Sequence, residues 1–362
     1  MLGKMKQKLH PLLIKHLGRD RLEYFASNTM NIATQAFDSF IWSYQCQAKI
    51  IEVRQETADT KTFVLLPNQH FKQPLPGQHI EITVDTDNSG SPTARCYTLS
   101  EIQQDTVSIT VKNNPDGKVS SWLHQYGRAG MILNISSPRG QFIYRSQEKL
   151  LFVSAGSGVT PCFAMLKALE STKKPVDIAF YYRTRNPEQT IFQKQLEQTG
   201  QSVTVNFSYS QPKDTSSQAH LPHQLAEMYP DINERHIYLC GPESFKNEVV
   251  AHLKSTGYDL DNLQVENFRP PEVSVDESSR LEGRASVLLK ERNIQFEIDA
   301  QTNQTILEAA ESQGIQLEHG CRTGMCGTCR TRLISGKVSG QQLGNSIYPC
   351  TSYPASSKIV LE

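Results

Sequence analysis

The sequence predicts a multidomain protein: an antiparallel β-barrel, then a doubly wound α/β domain, then a small domain that carries clustered cysteines. Three observations predict this order. Short strands separated by turn residues extend to residue 147, apolar strands alternate with helices over 148–268, and four cysteines lie between residues 321 and 350. A chain of 362 residues is long enough for two or three such domains.

The charge balance and the start of the chain narrow the possible partners. Lys and Arg together number 37, as do Asp and Glu, so the net charge is zero and we expect no nucleic-acid partner. Between residues 1 and 21 the longest apolar run is Leu12-Leu13-Ile14, too short for a signal peptide. We therefore expect a cytoplasmic protein, in which the eight cysteines bind metal or do chemistry rather than form disulfides.

Residues 1–46 are predicted to form a helical N-terminal extension. Its first part is rich in basic residues, namely Lys4, Lys6, Lys8, Lys15, Arg19 and Arg21. Two interpretations stay open. The extension is either a helix packed on the next domain or, over residues 1–45, a basic amphipathic surface that contacts the inner face of the membrane peripherally.

Residues 47–147 carry the signal for the barrel. Short alternating segments are separated by clusters of Pro, Gly, Asn and Asp, a spacing typical of an antiparallel barrel or sandwich. The predicted strands are 49–53, 60–66, 79–84, 95–99, 107–112 and 131–135. One helix, 119–126, interrupts them.

Residues 148–268 carry the α/β signal. The apolar run 150–153 is typical of a strand buried on both faces of a parallel sheet. Further strands and helices then alternate, which predicts a doubly wound domain. The strands are 176–182, 203–209, 237–239 and 263–266, and the helices are 161–170, 187–197 and 242–255.

An acidic, serine-rich stretch at 269–284, with Pro270-Pro271, is predicted to be a linker. In the last segment, 285–362, strands at 286–290 and 294–298 precede a short helix. Thr305 and Glu308 have capping-box spacing at the start of that helix, and Gly314 ends it.

Four cysteines predict a metal centre in this last segment. Cys321, Cys326, Cys329 and Cys350 follow the pattern Cys-x4-Cys-x2-Cys…Cys, the spacing of plant-type [2Fe–2S] sites. Thiolates are soft anionic ligands suited to iron in both oxidation states. A structural zinc site is the alternative, although zinc sites usually pair two short Cys-x2-Cys motifs.

Two motifs in the barrel region are suited to a flavin. Arg95, Tyr97 and Thr98 end a predicted strand, where a guanidinium suits a pyrophosphate, a phenol ring stacks on an isoalloxazine, and a hydroxyl can bond the flavin N5. A second phosphate contact is predicted where a helix opens beside a glycine and leaves N–H groups unpaired. Its residues are Gly117, Val119 and Ser120.

Two loops of the α/β region are suited to a nucleotide. A strand–turn–helix context surrounds the motif that contains Gly156, Gly158, Thr160 and Pro161, although Pro161 replaces the third glycine of the dinucleotide fingerprint. A second loop, Cys240-Gly241-Pro242, follows another strand at the start of a helix. Cys240 could equally be an inert core residue.

The coenzyme preference depends on the residues after the second α/β strand. Arg183 and Arg185 lie there, and no acidic residue follows until Glu188. An acidic residue would favour an unmodified ribose, whereas arginine favours a 2′-phosphate. The sequence therefore predicts NADPH, with NADH as the alternative.

These motifs carry a resemblance to known families. Residues 285–362 resemble a plant-type ferredoxin domain of β-grasp fold on the loop 321–329, although only twenty residues separate Cys329 from Cys350. Residues 47–268 resemble the ferredoxin–NADP reductase superfamily, whose members have a flavin-binding barrel followed by an NAD(P) domain.

The resemblance implies roles for the motif residues. The barrel motifs would bind FAD, with Thr98 at its N5, and the glycine loop would hold the nicotinamide nucleotide. Cys240 would lie near the nicotinamide, so Thr98 and Cys240 are the candidate catalytic residues. Phe268, in Glu266-Asn267-Phe268, would cover the flavin until nicotinamide displaces it. FAD is expected because the helix start at Gly117 suits the adenylate half that FMN lacks. FMN stays the alternative, because the domain order also fits the phthalate dioxygenase reductase type, which uses FMN.

The resemblance also implies an oxidoreductase that passes electrons from NADPH through FAD and [2Fe–2S] to an external acceptor. The expected acceptor is a membrane fatty-acid desaturase or a di-iron oxygenase. The alternatives are a reductase component of an aromatic-ring oxygenase and a hybrid-cluster reductase. A redox sensor that keeps both cofactors without turnover, and a zinc-stabilised scaffold, are hypotheses of another class.

Overall fold

A computed structural model of the chain describes residues 40, 43, 45–86, 92–172, 176–200, 203–211, 224–268, 281, 283–299, 302, 304–319, 324 and 327–362. Nearly all of the predicted N-terminal extension, most of the predicted linker, and the predicted ligands Cys321 and Cys326 lie outside the described residues. The four domain boundaries remain predictions. Within the described part of the chain, no helix combines the length and apolar character needed to cross a bilayer.

The first unit is a closed antiparallel barrel, not a sandwich, with neighbour order β1-β2-β5-β4-β3-β6. Pairing of β1 with β6 closes it. Its interior is filled by apolar side chains such as Phe63, Ile80 and Leu99, all fully buried. The strands are β1 Gln47–Thr57, β2 Thr60–Pro67, β3 His79–Val84, β4 Thr93–Ile102, β5 Val107–Lys112 and β6 Ile132–Ile135, and helix α1 is Lys118–Tyr126.

The second unit is a five-stranded parallel sheet of order β11-β10-β7-β8-β9. The strands are β7 Lys149–Ala155, β8 Asp177–Thr184, β9 Val203–Tyr209, β10 His236–Cys240 and β11 Leu263–Glu266. The helices are α2 Val159–Glu170, α3 Gln193–Glu197, α4 Leu225–Met228 and α5 Glu243–Ser255. Because α2 packs on one face and α5 on the other, the predicted doubly wound arrangement is confirmed.

One predicted helix of this unit is wrong. Residues 187–197 form a single 3-10 turn, Pro187–Gln189, followed by the short helix α3. Between them Phe192 has a left-handed φ of 60°. Its ring stacks on Phe163 with centroids 4.1 Å apart, so burial of this aromatic ring interrupts the helix.

The third unit is a mixed six-stranded sheet of order β13-β12-β17-β14-β16-β15, with one helix against it, as the β-grasp resemblance implies. The predicted capping box is confirmed, since Glu308 N donates to Thr305 Oγ1 at 3.2 Å and Thr305 N donates to Glu308 Oε2 at 2.9 Å. The elements are β12 Arg284–Leu289, β13 Ile294–Asp299, α6 Ile306–Ser312, β14 Thr331–Ser335, β15 Val338–Leu343, β16 Ser346–Pro354 and β17 Lys358–Leu361.

The third unit contacts the other two. Leu343, at the end of β15, packs against the core cluster on the α5 side of the parallel sheet. Arg332 forms an ion pair with Asp261, with Nη2 and Oδ2 3.8 Å apart. These contacts set the C-terminal domain beside the strand ends of the nucleotide domain.

The turn before β3 provides a test of the fold. Gly77 has φ +96°, and an added Cβ would lie 2.0 Å from the carbonyl oxygen of Phe142. We expect Gly77→Ala to lower the free energy of unfolding by about 2 kcal/mol, because both the φ value and the contact disfavour a side chain. Melting temperature followed by circular dichroism measures the effect.

Gly200→Ala is the matched control, because an added Cβ there meets nothing within 4 Å and the φ value is not left-handed. Its free energy of unfolding should change by less than about 0.5 kcal/mol. A Gly77→Ala variant as stable as the wild type would contradict the assignment of this turn.

Candidate functional site

A cleft of about 260 Å³ lies between the barrel and the parallel sheet. Six residues predicted to bind a flavin line this cleft together: Arg95, Tyr97, Thr98, Gly117, Val119 and Ser120. Thr160 from the glycine loop and Phe268, beyond β11, complete the wall. The structure thus brings four separate sequence motifs to one place.

Strand β4 presents three different chemistries to this cleft. The exposed Arg95 supplies a cation, while Tyr97 supplies a half-buried ring and Thr98 a buried hydroxyl. Burial raises the pKa of Tyr97 well above its ordinary value, so the phenol is neutral and can donate a hydrogen bond. A cation, a flat ring and a hydroxyl in this order match the phosphate, ring and N5 of a flavin.

Helix α1 provides the anion-binding end of the cleft. Its N-cap residue is Gly117, which has no side chain that could accept a hydrogen bond. N–H groups of the first turn are therefore without a side-chain cap. Lys118 and Lys112 line the same cleft. The helix start and these two cations together suit a pyrophosphate.

A second cleft of about 380 Å³ lies at the carboxyl edge of the parallel sheet. It contains Gly156, Arg183, Arg185 and Pro242 of the predicted nucleotide residues. Lys112 lines this cleft as well as the first, so the two clefts meet at this side chain. Ligand sites of open parallel sheets occur at this edge, where loops leave the strands.

Gly158 and Gly241 shape these loops and do not line either cleft. A Cβ added at Gly158 would lie 2.3 Å from the carbonyl oxygen of Cys240, so the loops after β7 and β10 touch backbone to backbone. One at Gly241 would lie 2.9 Å from the ring of Phe245. Pro161 is buried within α2, among the core side chains.

Cys240 is fully buried and does not line either cleft. Burial raises the pKa of its thiol well above the ordinary value, and the neighbouring Cys162 and Glu266 add to the effect. The thiol is therefore neutral. Its catalytic role stays a prediction.

A buried contact between His79 and Glu266 lies beside Thr98 and was not predicted from the sequence. His79 is the register partner of Thr98 in the β3–β4 pair. Its Nδ1 lies 3.9 Å from Glu266 Oε1, and both side chains are buried. The pair connects the barrel to the end of β11. Two features of the sequence could have drawn attention to this contact: the turn that precedes His79 and the motif Glu266-Asn267-Phe268.

A second missed residue fixes the segment that ends at Phe268. Lys246 of α5 is buried, donates to Asn267 Oδ1, and lies 2.7 Å from Glu243 Oε2. Phe268 itself is 41% exposed. An anchored Asn267 therefore holds an exposed aromatic ring at the mouth of the first cleft.

The described part of the cysteine motif fits an iron–sulfur cluster. The Sγ atoms of Cys329 and Cys350 are 3.1 Å apart, too far for a disulfide and close enough to share one iron. Gly324 N donates to Cys350 Sγ at 3.3 Å, from a left-handed φ of 73°. Both sulfurs are buried, and backbone N–H groups near them suit an anionic cluster.

Comparison with known proteins agrees with this geometry. An oxidoreductase FAD-binding domain family matches residues 47–144, an oxidoreductase NAD-binding domain family matches 152–251, and a 2Fe-2S iron-sulfur cluster binding domain family matches 289–355. A glycine betaine monooxygenase reductase subunit of Chromohalobacter salexigens is 30% identical over 86% of this chain and 90% of its own length. The chain belongs to the ferredoxin–NADP reductase superfamily.

One further relative and one solved structure are similar to most of this chain. An NADPH oxidoreductase of Mycobacterium tuberculosis is 28% identical over 86% of this chain and 81% of its own. The solved phthalate dioxygenase reductase has the same fold, with a TM-score of 0.54 and 24% identity over 88% of this chain and 98% of that one. This reductase is an NAD(P)H oxidoreductase with FAD, a [2Fe–2S] cluster and a plant-type ferredoxin domain.

The cofactors explain why no general base or nucleophile is needed. When bound between these residues, FAD would supply the exchange between the electron pair of a reduced nicotinamide and the single electrons that a [2Fe–2S] cluster carries. The chain positions the two cofactors and the coenzyme.

Burial of Cys240 gives a test of its chemistry. At pH 8 we expect iodoacetamide to label Cys240 of the native holoprotein at least about tenfold more slowly than in guanidinium-unfolded protein, because only an accessible thiolate reacts. Mass spectrometry of the tryptic peptide measures the labelled fraction over time. Equal rates in the native and unfolded proteins would show that the thiol is as accessible and as readily ionised as in the unfolded chain, and would contradict its burial.

Proposed function

We propose that this reductase takes electrons from NADPH and delivers them to a terminal oxygenase component. One observation carries the proposal: the flavin-type cleft and the nucleotide-type cleft meet at Lys112, in a chain that also carries a ferredoxin domain. A coenzyme in the second cleft thereby reaches a flavin in the first. The electron then leaves through the cluster held by the third unit.

The proposed roles at the flavin follow from the lining of the first cleft. Arg95 and the first turn of α1, from Gly117 to Ser120, bind the pyrophosphate of FAD. Tyr97 stacks on the isoalloxazine, and Thr98 bonds its N5. Phe268 covers the ring until nicotinamide displaces it.

The proposed roles at the coenzyme follow from the second cleft. The loop with Gly156 and Thr160 directs the nicotinamide half toward the flavin, Pro161 is buried in the helix behind it, and Pro242 lines the coenzyme cleft. Gly158 and Gly241 allow these loops to approach each other. Cys240, a buried neutral thiol that lines neither cleft, would lie near the nicotinamide ring.

The preference for NADPH is supported by charge. Arg183 and Arg185 line the cleft with Lys112, against the single carboxylate of Glu248 among the lining residues. A 2′-phosphate is a dianion that arginine can bind with two parallel hydrogen bonds. An unmodified ribose would gain little from this cluster.

Substitution of the arginines tests the coenzyme preference. We expect Arg183→Gln and Arg185→Gln each to lower kcat/KM for NADPH by about 10- to 100-fold, because each removes a charge-assisted phosphate contact. The value for NADH should stay within about threefold. Arg128→Gln, a barrel-surface substitution away from both clefts, serves as the control.

Steady-state kinetics with ferricyanide as acceptor measures these values without involving the physiological partner. A wild type that prefers NADH would contradict the proposal. So would equal losses for both coenzymes in the arginine variants.

The acceptor is proposed from the relatives. Those most similar include reductase subunits named for glycine betaine monooxygenase, stachydrine N-demethylase and 3-ketosteroid-9-alpha-monooxygenase. These names support a terminal oxygenase component as the partner. The expected desaturase acceptor and the membrane contact of residues 1–45 stay predictions.

Reoxidation of the cluster tests the acceptor. Holoprotein reduced with NADPH without air is mixed with a purified terminal oxygenase component or with a desaturase in detergent, and the [2Fe–2S] absorption is followed. We expect the oxygenase component to reoxidise the cluster at least about tenfold faster. Faster reoxidation by the desaturase would overturn the proposed acceptor.

The variant Cys350→Ala tests whether electrons reach the oxygenase component through the [2Fe–2S] cluster. Loss of this ligand should abolish transfer to the oxygenase component and leave NADPH–ferricyanide activity within about twofold of the wild type, because ferricyanide takes electrons from the flavin directly. Retained transfer to the oxygenase component would mean that electrons bypass the cluster.

A further inference from the structure

A third cavity, of about 440 Å³, lies where the three units meet. Arg145 reaches it from the segment before β7, and His236 reaches it from the start of β10. Arg330 and Arg332 reach it from the ferredoxin domain. The cavity is separate from the flavin and coenzyme clefts and shares no lining residue with them.

The walls of this junction cavity are rich in positive charge. Arg332 is balanced by Asp261 at 3.8 Å and by Glu362 at 3.9 Å. Among the described residues, no carboxylate lies within ion-pair distance of Arg145 or Arg330. Two guanidinium groups from different units, the exposed one of Arg145 and the half-buried one of Arg330, therefore line one open cavity without an ion-pair partner among the described residues.

The positive charge of this wall also affects the pKa of His236. Burial, and then the charges of Arg330 and Arg145, lower its pKa to about 4, so the imidazole is neutral near pH 7. Its Nε2 lies 3.5 Å from the side-chain amide nitrogen of Gln264. Neither the neutral ring of His236 nor the amide of Gln264 adds a negative charge to this wall.

The hydrogen-bond donors that line the cavity indicate which kind of ligand it would bind. Two guanidinium groups offer planar pairs of N–H donors, and the amide of Gln264 and the hydroxyl of Thr328 stand on the same wall. Such donors match the several equivalent oxygens of a small oxyanion. Glu318 is the remaining acidic side chain of the lining, and it is exposed.

We propose that the junction cavity binds a small phosphate- or sulfate-type oxyanion that bridges Arg145 and Arg330 and holds the ferredoxin domain in its docked position. Arg330 directly follows the ligand Cys329, whereas Arg145 belongs to the other side of the interface. An anion contacts both only while the domains are docked. If the anion binds the docked arrangement more tightly than the undocked one, linkage requires that bound anion stabilise docking by the same free energy. The proposal does not depend on the identity of the acceptor.

Calorimetric titration of the holoprotein with inorganic phosphate, at constant ionic strength set with sodium chloride, tests the site. We expect saturable binding at one site in the wild type. Arg145→Gln and Arg330→Gln should each weaken it at least about tenfold, because each removes half of the bridge. Arg128→Gln should bind as the wild type does.

Two further variants separate this site from the coenzyme cleft. Arg183→Gln and Arg185→Gln should leave phosphate binding unchanged, and loss of binding in these variants alone would assign the phosphate to the coenzyme cleft. An effect of Arg330→Gln without an effect of Arg145→Gln would confine the anion to one domain and overturn the bridge. Absence of saturable binding overturns the site altogether.

Small-angle X-ray scattering tests the docking half of the proposal. Phosphate should lower the radius of gyration of the wild type and leave that of Arg145→Gln unchanged. Arg145 lies outside the cysteine loop, so this variant keeps its cluster and stays informative even where Arg330→Gln does not. An unchanged radius in the wild type at saturating phosphate overturns the proposed effect on docking.

Discussion

The close contact between Gly158 and the carbonyl group of Cys240 is the constraint on which the site depends. No side chain fits between the two loops, so the turns after β7 and β10 lie against each other at the edge of the sheet. This contact places Gly156 in the coenzyme cleft and Thr160 in the flavin cleft, although only three residues separate them. The two ligand sites are adjacent because the backbone itself joins them.

Polar contacts then connect the units around this backbone frame. The His79–Glu266 pair connects the barrel to the last strand of the parallel sheet, in a place that water does not reach. The Arg332–Asp261 contact of the ferredoxin domain is exposed and therefore weak. The barrel and the nucleotide domain therefore share a buried polar contact, whereas this polar contact of the ferredoxin domain is exposed.

Local patterns predicted much of this architecture. The apolar run of β7, the capping box at Thr305 and the cysteine spacing each depend on neighbouring residues, and each appears in the structure or is matched by a known domain family. Alternation along the strands did not by itself distinguish a closed barrel from a sandwich, because both have it; the family resemblance implied the barrel, and the structure confirms it. The break at Phe192 depends on Phe163, and the partner of His79 lies in another unit. Such contacts between distant residues leave no periodic signal in one sequence.

Lys112 belongs to both clefts, and this has a consequence for how such enzymes diversify. A substitution at Lys112 disturbs the prosthetic group and the coenzyme together, so selection cannot adjust one independently of the other there. Arg183 and Arg185 line the coenzyme cleft alone and leave the flavin wall untouched. We therefore expect adaptation to a different pyridine nucleotide to occur at Arg183 and Arg185, where a substitution changes the coenzyme site and leaves the flavin site unchanged.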